Sequence, residues 1–275
     1  MVQLPDRFTL PEGLIPSTTP DPPAIPRDAA TVMLVRGPGE PEVFLQRRVD
    51  AMPFAGGMTV FPGGGVDPRD ADTSVAWTGH EPAWWAERLG CGEDLARALV
   101  CAAVRETFEE SGVLLAGPDS ETLVADTAPY AQARHALVSR EFSLAGFLAE
   151  NGLVLRADLL RPWANWVTPI EEPRRYDTRF FVAALPDGQR ADDVTSEAVE
   201  AYWSTPRTAL RDWDEGRCGL LPPTWVTLTE LSRCSTVAEI LATERTMGKV
   251  VPKIVRNEDA ARLLLPTDPG YEEAQ

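Results

Sequence analysis

The chain has 275 residues, of which 44% are hydrophobic and 25% are charged, and its formal net charge is −16. This composition is typical of a globular protein and excludes the fibrous and disordered classes. The acidic balance also argues against a nucleic acid polymer as partner, because binding to a polyanion depends on clustered Lys and Arg. The four cysteines form no CxxC pair, so neither a zinc site nor a disulfide framework is expected.

Signals for membranes and targeting are absent from the sequence. No stretch approaches the roughly 18 consecutive apolar residues that a membrane span needs. The first residues, MVQLPDRFTLPEG, lack a basic region followed by an apolar run, and the final GYEEAQ is neither a peroxisomal nor a retention signal. We therefore expect a cytoplasmic protein that has no membrane partner.

The N-terminal part of the chain changes character near Ala29. Residues 1–27 contain seven prolines, which remove backbone donors and fix φ, so they predict an extended arm or a loose tail. The segments ATVMLV and EVFLQRR flank a GPGEP turn and predict paired strands. Next comes FAGGMTVFPGGGVD, where three consecutive glycines, Gly63 to Gly65, indicate either a close approach of the backbone or a positive φ.

Helical patterns dominate the middle of the chain. Residues 93–111 predict a long helix, since acids occupy its first turn and Gly112 is placed to end it. Because strands and helices mix without strict βαβ alternation, we expect an α+β fold layered as an α/β/α sandwich. The remaining predictions are a strand at VLLAG, one or two helices over 128–150, strands at NWVTPI, RFFVAAL and EAYWST, and short helices at TWVTLTELSRC and TVAEILATE.

The segment RETFEESG carries the residues with the clearest chemistry. Glu106, Glu109 and Glu110 are spaced i, i+3 and i+4, which places all three carboxylates on one face of the predicted helix. An acidic triplet is usually a solvated face, but this one follows a glycine-rich loop that can present backbone groups to phosphate or metal. A divalent cation such as Mg²⁺ or Mn²⁺ would relieve the repulsion between the carboxylates. Arg105 could hold one carboxylate through bidentate hydrogen bonds.

This region resembles the Nudix box, G-x5-E-x7-R-E-U-x-E-E-x-G-U, of hydrolases that cleave nucleoside diphosphates linked to another moiety. The matching positions are Gly64, Asp70 and the run 105–113. Three features depart from the pattern: Asp70 replaces Glu, Thr107 replaces an aliphatic residue, and residues 71–104 replace the usual seven. The box is therefore split by an insertion.

The resemblance extends to one branch of this superfamily. The segment EVFLQRRVDAMPFAGGMTVFPGG is similar to LLTxRSx3Rx3Gx3FPGG, the signature that precedes the box in coenzyme A diphosphatases. Arg48, Gly57 and the run 61–64 match, whereas Pro53 stands where the signature has a second Arg. The segments NWVTPIEEPRRYDTRFF and LPPTWVTLTEL are similar to the peroxisomal-type members, which also carry a split box.

The resemblance implies a Nudix fold, with a mixed β-sheet between helices. We expect a proline-rich arm over 1–27 and a single hydrolase domain over 28–275. Within that domain, 71–104 would be a helical insertion in the box, and 220–275 a C-terminal helical extension.

The implied activity is metal-dependent cleavage of a diphosphate linkage in a nucleoside diphosphate derivative, with coenzyme A or acyl-CoA as the favoured substrate class. The implied ligands of Mg²⁺ or Mn²⁺ are Glu106, Glu109, Glu110 and the Gly63 carbonyl, supported by Gly64, Asp70 and Gly112. The implied catalytic residues are Glu106, Glu109, Glu110 and Arg105, with the base either Glu106 or a later residue, Glu197 or Glu200. Candidates for binding substrate phosphates are Arg47, Arg48, Arg174, Arg175 and Arg179, each of which could instead be ordinary surface charge.

Other functions stay open at this point. Pro129 and Tyr130 lie 16 and 17 residues after Val113, near offsets that mark the ADP-ribose and diadenosine-polyphosphate branches. An ADP-ribose, NADH or dinucleoside polyphosphate pyrophosphatase is therefore an alternative. A Nudix-fold sensor that binds a nucleotide without cleaving it is a further alternative, although such proteins usually lose box carboxylates. A homodimer is possible, because dimers are common in the superfamily.

Overall fold

The computed structural model describes residues 2–5, 8, 18–52, 55–195, 197–256 and 261–274. The first strands are β1 (Arg27–Arg36), β2 (Glu42–Arg48), β3 (Met58–Val60), β4 (Gly63–Gly65) and β5 (Trp77–Thr78). The later strands are β6 (Ala116–Gly117), β7 (Val154–Arg156), β8 (Arg161–Val167), β9 (Tyr176–Ala184), β10 (Ala198–Ser204), β11 (Gly219–Leu220), β12 (Lys249–Val250), β13 (Lys253–Arg256) and β14 (Ala261–Leu264). The helices are α1 (Pro82–Leu89), α2 (Glu93–Ser111), α3 (Ala131–Val138), α4 (Leu144–Glu150), α5 (Pro206–Asp214), α6 (Pro222–Leu231) and α7 (Val237–Ala242).

A mixed sheet forms the centre of the molecule, with strand order β11-β3-β2-β1-β9-β8-β12. Strand β1 pairs in parallel with β9 on one side. On its other side it pairs first with β4 and then with β2, both antiparallel. The register places Ala30 opposite Gly64 and Thr31 opposite Gly63, so the glycine segment is fixed beside the most central strand.

Helices cover both faces of this sheet. Along β1, Ala30, Val32 and Leu34 pack into a core shared with α1 to α4, whereas Met33 and Val35 pack into a second core shared with α5 to α7. This alternation follows from the two-residue period of a β-strand. The predicted α+β sandwich is confirmed.

Helix α2 spans the predicted residues, and it ends where Gly112 takes φ 72 and its N–H bonds to the Phe108 carbonyl at 3.0 Å. Residues 93–104, the second part of the insertion, form the N-terminal part of this helix. Helix α1 lies in the first part of the insertion and packs against α2. The insertion therefore lengthens the helix that bears the glutamates.

Two local predictions need correction. The region 220–275 begins with α6 and α7 as expected, but it continues with β12 on the edge of the sheet and the hairpin β13–β14. The sequence KVVPKIV explains this, because its β-branched residues favour strands and Pro252 interrupts a helix. In VLLAG only Ala116 and Gly117 form a strand. Before them, the N–H and carbonyl of Leu114 bond to the Gln189 side chain instead of to another strand.

The described parts of the N-terminal arm lie over the domain. Leu4 packs against the core next to α5 to α7, and Phe8 is 5% exposed and stacks on Trp213 at 5.3 Å between ring centroids. Ile254 and Leu263 of the C-terminal hairpin belong to the same small cluster as Phe8. None of the helices in the described ranges has the length and hydropathy that crossing a bilayer requires.

Candidate active site

The last turns of α2 meet the glycine segment of β4. Glu110 is 5% exposed, and its Oε2 accepts a hydrogen bond from the Gly63 N–H at 2.9 Å. A Cβ at position 64 would lie 2.5 Å from Oε1 of Glu106, and one at position 63 would lie 2.5 Å from the Ala30 carbonyl oxygen. Close approach, not positive φ, is thus the reason for these glycines.

Arg105 is held from several sides. Its Nε and Nη2 donate to the two carboxylate oxygens of Asp70, both at 2.9 Å. Its Nη1 donates to Glu106 at 2.7 Å and to Glu109 at 3.3 Å. Nη2 also donates to the Gly65 carbonyl at 2.9 Å. Asp70 is 2% exposed and reaches Arg105 in a bidentate pair, although its side chain is one carbon shorter than the usual Glu.

Burial makes the glutamates unusually weak acids. Burial raises the pKa of Glu106 to about 7, with Arg105 opposing the shift and Glu109 adding to it. Burial, and then the nearby Glu106, raise the pKa of Glu110 well above its usual range. Burial also raises the pKa of Glu109, against the opposing charge of Arg105. Three ionised carboxylates are therefore costly at this position unless a cation is bound.

The donor set fits a divalent cation, because hard carboxylate oxygens and a backbone carbonyl are the ligands that Mg²⁺ and Mn²⁺ prefer. Among the described residues, no three His, Cys, Asp or Glu side chains are already arranged as a set of metal ligands. Arg105 Nη1 bridges Glu106 and Glu109, and Glu110 is bonded to the Gly63 N–H. Cation binding would compete with these hydrogen bonds.

Glu106, Glu109 and Glu110 line a groove that has a volume of about 880 Å³. The charged residues that line it include Arg48, Arg105, Glu106, Glu109, Glu110 and Glu197. The apolar residues that line it include Trp166, Val167, Leu221, Pro222, Ile254 and Leu263. These apolar residues come from β8, the start of α6 and the C-terminal hairpin.

Arg48 and Glu197 are the two further candidates that line the groove together with the glutamates. Arg48 Nη2 lies 3.3 Å from Glu197 Oε2. Arg48 Nε is buried and has no hydrogen-bond partner among the described residues. Pro53, at the second Arg position of the signature, lies outside the described residues.

The other candidates do not line the groove. Arg47 is exposed, because neighbouring residues on a strand point to opposite faces, and Glu200, opposite it on β10, is exposed as well. Arg175 donates to the carbonyls of Thr168 and Ala24 at 3.0 and 2.9 Å. These three residues and the exposed Arg174 are therefore not placed for contact with a ligand in the groove.

Arg179 is also absent from the groove lining. It is 3% exposed and forms ion pairs with Asp177 at 2.5 Å and with Asp28 at 3.3 Å. Its charge is therefore already neutralised by carboxylates within the fold.

Sequence reasoning missed the residues that hold the end of α2. The Glu110 carbonyl accepts from Gln46 Nε2 at 3.0 Å, the Glu109 carbonyl accepts from Arg134 Nε at 3.0 Å, and the Ser111 carbonyl accepts from the Asp192 N–H at 2.9 Å. These partners are distant in sequence and belong to no motif, so nothing in one sequence identifies them.

The chain is similar to known proteins in both sequence and fold. The family model described as NUDT19 Nudix domain matches residues 82–233, more than half of the chain. The acyl-coenzyme A diphosphatase NUDT19 of Xenopus laevis is 26% identical, with 84% of this chain and 72% of that protein covered. The putative nudix hydrolase 7 of Caenorhabditis elegans is 32% identical, with 75% of this chain and 61% of that protein covered. A crystal structure of a NUDIX hydrolase from Alicyclobacillus acidocaldarius has a TM-score of 0.68 and 28% identity, covering 81% of this chain and 98% of that chain. The complete glutamate set, the glycine segment and these matches lead to one conclusion: the chain belongs to the Nudix hydrolases, in the family of the NUDT19 Nudix domain.

Proposed function

We propose that this Nudix hydrolase is a Mg²⁺- or Mn²⁺-dependent diphosphatase that acts on coenzyme A or acyl-CoA. The observation that carries the proposal is that Glu106, Glu109 and Glu110 all line the groove, with Glu106 and Glu110 buried against the glycine segment. The relatives named acyl-coenzyme A diphosphatase agree with this substrate class.

The mixed charged and apolar lining of the groove supports the same substrate class. A coenzyme A derivative carries its diphosphate between a nucleotide and a long, largely uncharged arm, which can end in an acyl chain. The charged residues would contact the diphosphate, and the apolar residues are suited to the arm. The groove volume of about 880 Å³ lies within the range of small-molecule sites.

The reaction is hydrolysis of a phosphoanhydride. The oxygen of water attacks one phosphorus, the bond from that phosphorus to the bridging oxygen breaks, and two phosphate monoesters leave. When bound, Mg²⁺ or Mn²⁺ lowers the pKa of the attacking water and neutralises phosphate charge. Glu106, Glu109, Glu110 and the Gly63 carbonyl would hold it.

Other residues of the chain bind the substrate and move the proton. Arg48 has a buried Nε–H without a partner among the described residues, and it is suited to a phosphate oxygen. Glu106 or Glu197 would accept the proton of the attacking water at a carboxylate oxygen. Glu197 lines the groove next to Arg48, whereas Glu200 does not line it, so Glu197 is the better of the two later candidates.

The alternatives have less support. Pro129 and Tyr130 lie in a short 3-10 turn, where Tyr130 packs on Phe147 at 5.4 Å and neither residue lines the groove. They therefore provide no contact that favours ADP-ribose or dinucleoside polyphosphates. A sensor without activity is disfavoured because the box carboxylates are complete. A cytoplasmic location, a homodimer and a single domain over 28–275 stay predictions.

A panel of substrates tests the proposal. Purified protein is incubated with coenzyme A, octanoyl-CoA, ADP-ribose, NADH and diadenosine tetraphosphate, each with Mg²⁺, Mn²⁺ or EDTA. We expect 3′,5′-ADP and a 4′-phosphopantetheine product from the CoA substrates, and no product in EDTA. Calorimetric binding of a nucleotide without any product would instead favour the sensor. Faster cleavage of ADP-ribose, NADH or the dinucleotide would reassign the substrate.

A further inference from the structure

Arg134 joins the end of the glutamate helix to a separate loop. It lies in α3 and is 9% exposed. Its Nε donates to the Glu109 carbonyl at 3.0 Å, while Nη1 donates to both carboxylate oxygens of Asp192 at 2.9 and 2.8 Å. Nη2 donates to the Val194 carbonyl at 3.1 Å. One guanidinium thus binds the backbone of α2 and two residues of the segment that follows β9.

That segment leads directly to Glu197. The Asp192 N–H donates to the Ser111 carbonyl at 2.9 Å, so the segment contacts the end of α2 a second time. The Glu197 N–H donates to Thr195 Oγ1 at 3.2 Å, and its carbonyl accepts from the Val49 N–H at 3.0 Å. These bonds hold Glu197 beside Arg48 in the groove.

We propose that Arg134 is a positioning residue, which fixes the last turn of α2 relative to residues 192–195 and to Glu197. It does not line the groove, so it acts through the residues that it holds. The inference rests on the proposed function, because it takes the α2 glutamates as the metal ligands. The charge of Arg134 lies at the C-terminus of α2, where a cation interacts favourably with the helix dipole.

Arginine is suited to this position because of its shape. Its planar fork offers five N–H donors, and here Nε, Nη1 and Nη2 address three different acceptors. A lysine keeps the charge but donates from a single nitrogen, so it cannot join the helix and the segment in the same way. Residues that orient metal ligands typically contribute 10- to 100-fold to metal affinity or activity.

The chain offers a matched control in Arg156, which is buried to a similar degree. Its Nε and Nη2 donate to Asp158, both at 2.8 Å, and its Nη1 donates to the Thr122 carbonyl at 3.3 Å. It does not line the groove and holds no part of α2. Arg156→Met therefore removes the same kind of interaction at a place unconnected with the glutamates.

The test measures Mn²⁺ binding to the full chain by isothermal titration calorimetry without substrate, together with thermal unfolding. Arg134→Met is expected to bind Mn²⁺ about 10-fold more weakly than wild type, with Arg134→Lys in between. Arg156→Met is expected to lower the unfolding midpoint and to keep Mn²⁺ affinity within about twofold of wild type. If Arg134→Met fails to fold, Asp192→Asn replaces it and is expected to weaken Mn²⁺ binding by at least about threefold.

The results separate this inference from the proposed function. Wild-type protein that binds no Mn²⁺ would contradict the proposed function itself. Wild-type affinity in folded Arg134→Met, or in Asp192→Asn where it replaces that variant, would overturn only the role of Arg134. Equal weakening in Arg134→Met and Arg156→Met would overturn it as well, since general destabilisation would then account for both.

Discussion

The buried pair between Asp70 and Arg105 gives the sharpest prediction of stability. Asp70 is 2% exposed, and it accepts two hydrogen bonds from Arg105 and one from the Asp67 N–H at 2.8 Å. Asp70→Asn keeps the volume but removes the charge, and it turns an NH₂ group toward a guanidinium that can only donate. We expect a loss of unfolding free energy, and a weaker hold on the side chain of Arg105.

Breaking a buried ion pair costs about 3–5 kcal/mol. Arg105 would keep its bonds to Glu106 and to the Gly65 carbonyl, so the low end, about 3 kcal/mol, applies. In a chain of this size that loss lowers the midpoint of thermal unfolding by about 6–12 °C. Differential scanning calorimetry of metal-free protein measures it.

Asp158→Asn is the control for this variant. Asp158 also forms a bidentate pair, with Arg156, but its side chain is 34% exposed. The expected loss is therefore about 1 kcal/mol. An unfolding midpoint of Asp70→Asn within about 2 °C of wild type, or equal to that of Asp158→Asn, would refute the reasoning.

Two further predictions concern pH and the apolar lining of the groove. Because burial raises the pKa of Glu106 to about 7, the folded metal-free protein holds that proton more tightly than the unfolded chain, so stability falls as pH rises from about 4.5 to 7. Glu106 contributes about 3 kcal/mol to this fall in unfolding free energy, so the fall should be smaller by that amount in Glu106→Gln. Urea unfolding of both proteins at pH 5 and 8 measures the difference. An equal pH dependence in the two proteins would contradict the prediction. Leu221→Ser removes an apolar side chain from the groove but supplies an N-cap side chain to α6, so the fold should be kept. The KM for octanoyl-CoA should rise about fivefold, whereas the KM for coenzyme A should change little. An equal change in KM for both substrates, measured by initial rates, would show that Leu221 does not contact the acyl chain.

The glutamate helix could be predicted because its determinants are local. The spacing of Glu106, Glu109 and Glu110 fixes one helix face, and Gly112 ends the helix in the left-handed conformation. The resemblance to the Nudix box then indicated that the glycine segment lies near this helix. The register of β1 with β4 provides the physical reason, since it brings Gly64 against Glu106.

The other features depend on contacts between distant parts of the chain. Arg48 and Arg179 are both arginines on strands. Arg48 lines the groove, whereas Arg179 does not and is neutralised by Asp28, 151 residues earlier. The strand expected at VLLAG is replaced by the side chain of Gln189, which is 75 residues from Leu114. Pairings of this kind leave no periodic signal in one sequence.

The central claim is that the carboxylates of α2 hold the divalent cation used for hydrolysis. The most direct measurement is the kcat of Glu110→Gln at saturating Mn²⁺, on the diphosphate that the wild type cleaves fastest. Glu93→Gln, in the exposed first turn of the same helix, is the control. We predict a loss of at least about 100-fold in folded Glu110→Gln and wild-type turnover in Glu93→Gln. Wild-type turnover in Glu110→Gln would contradict the account.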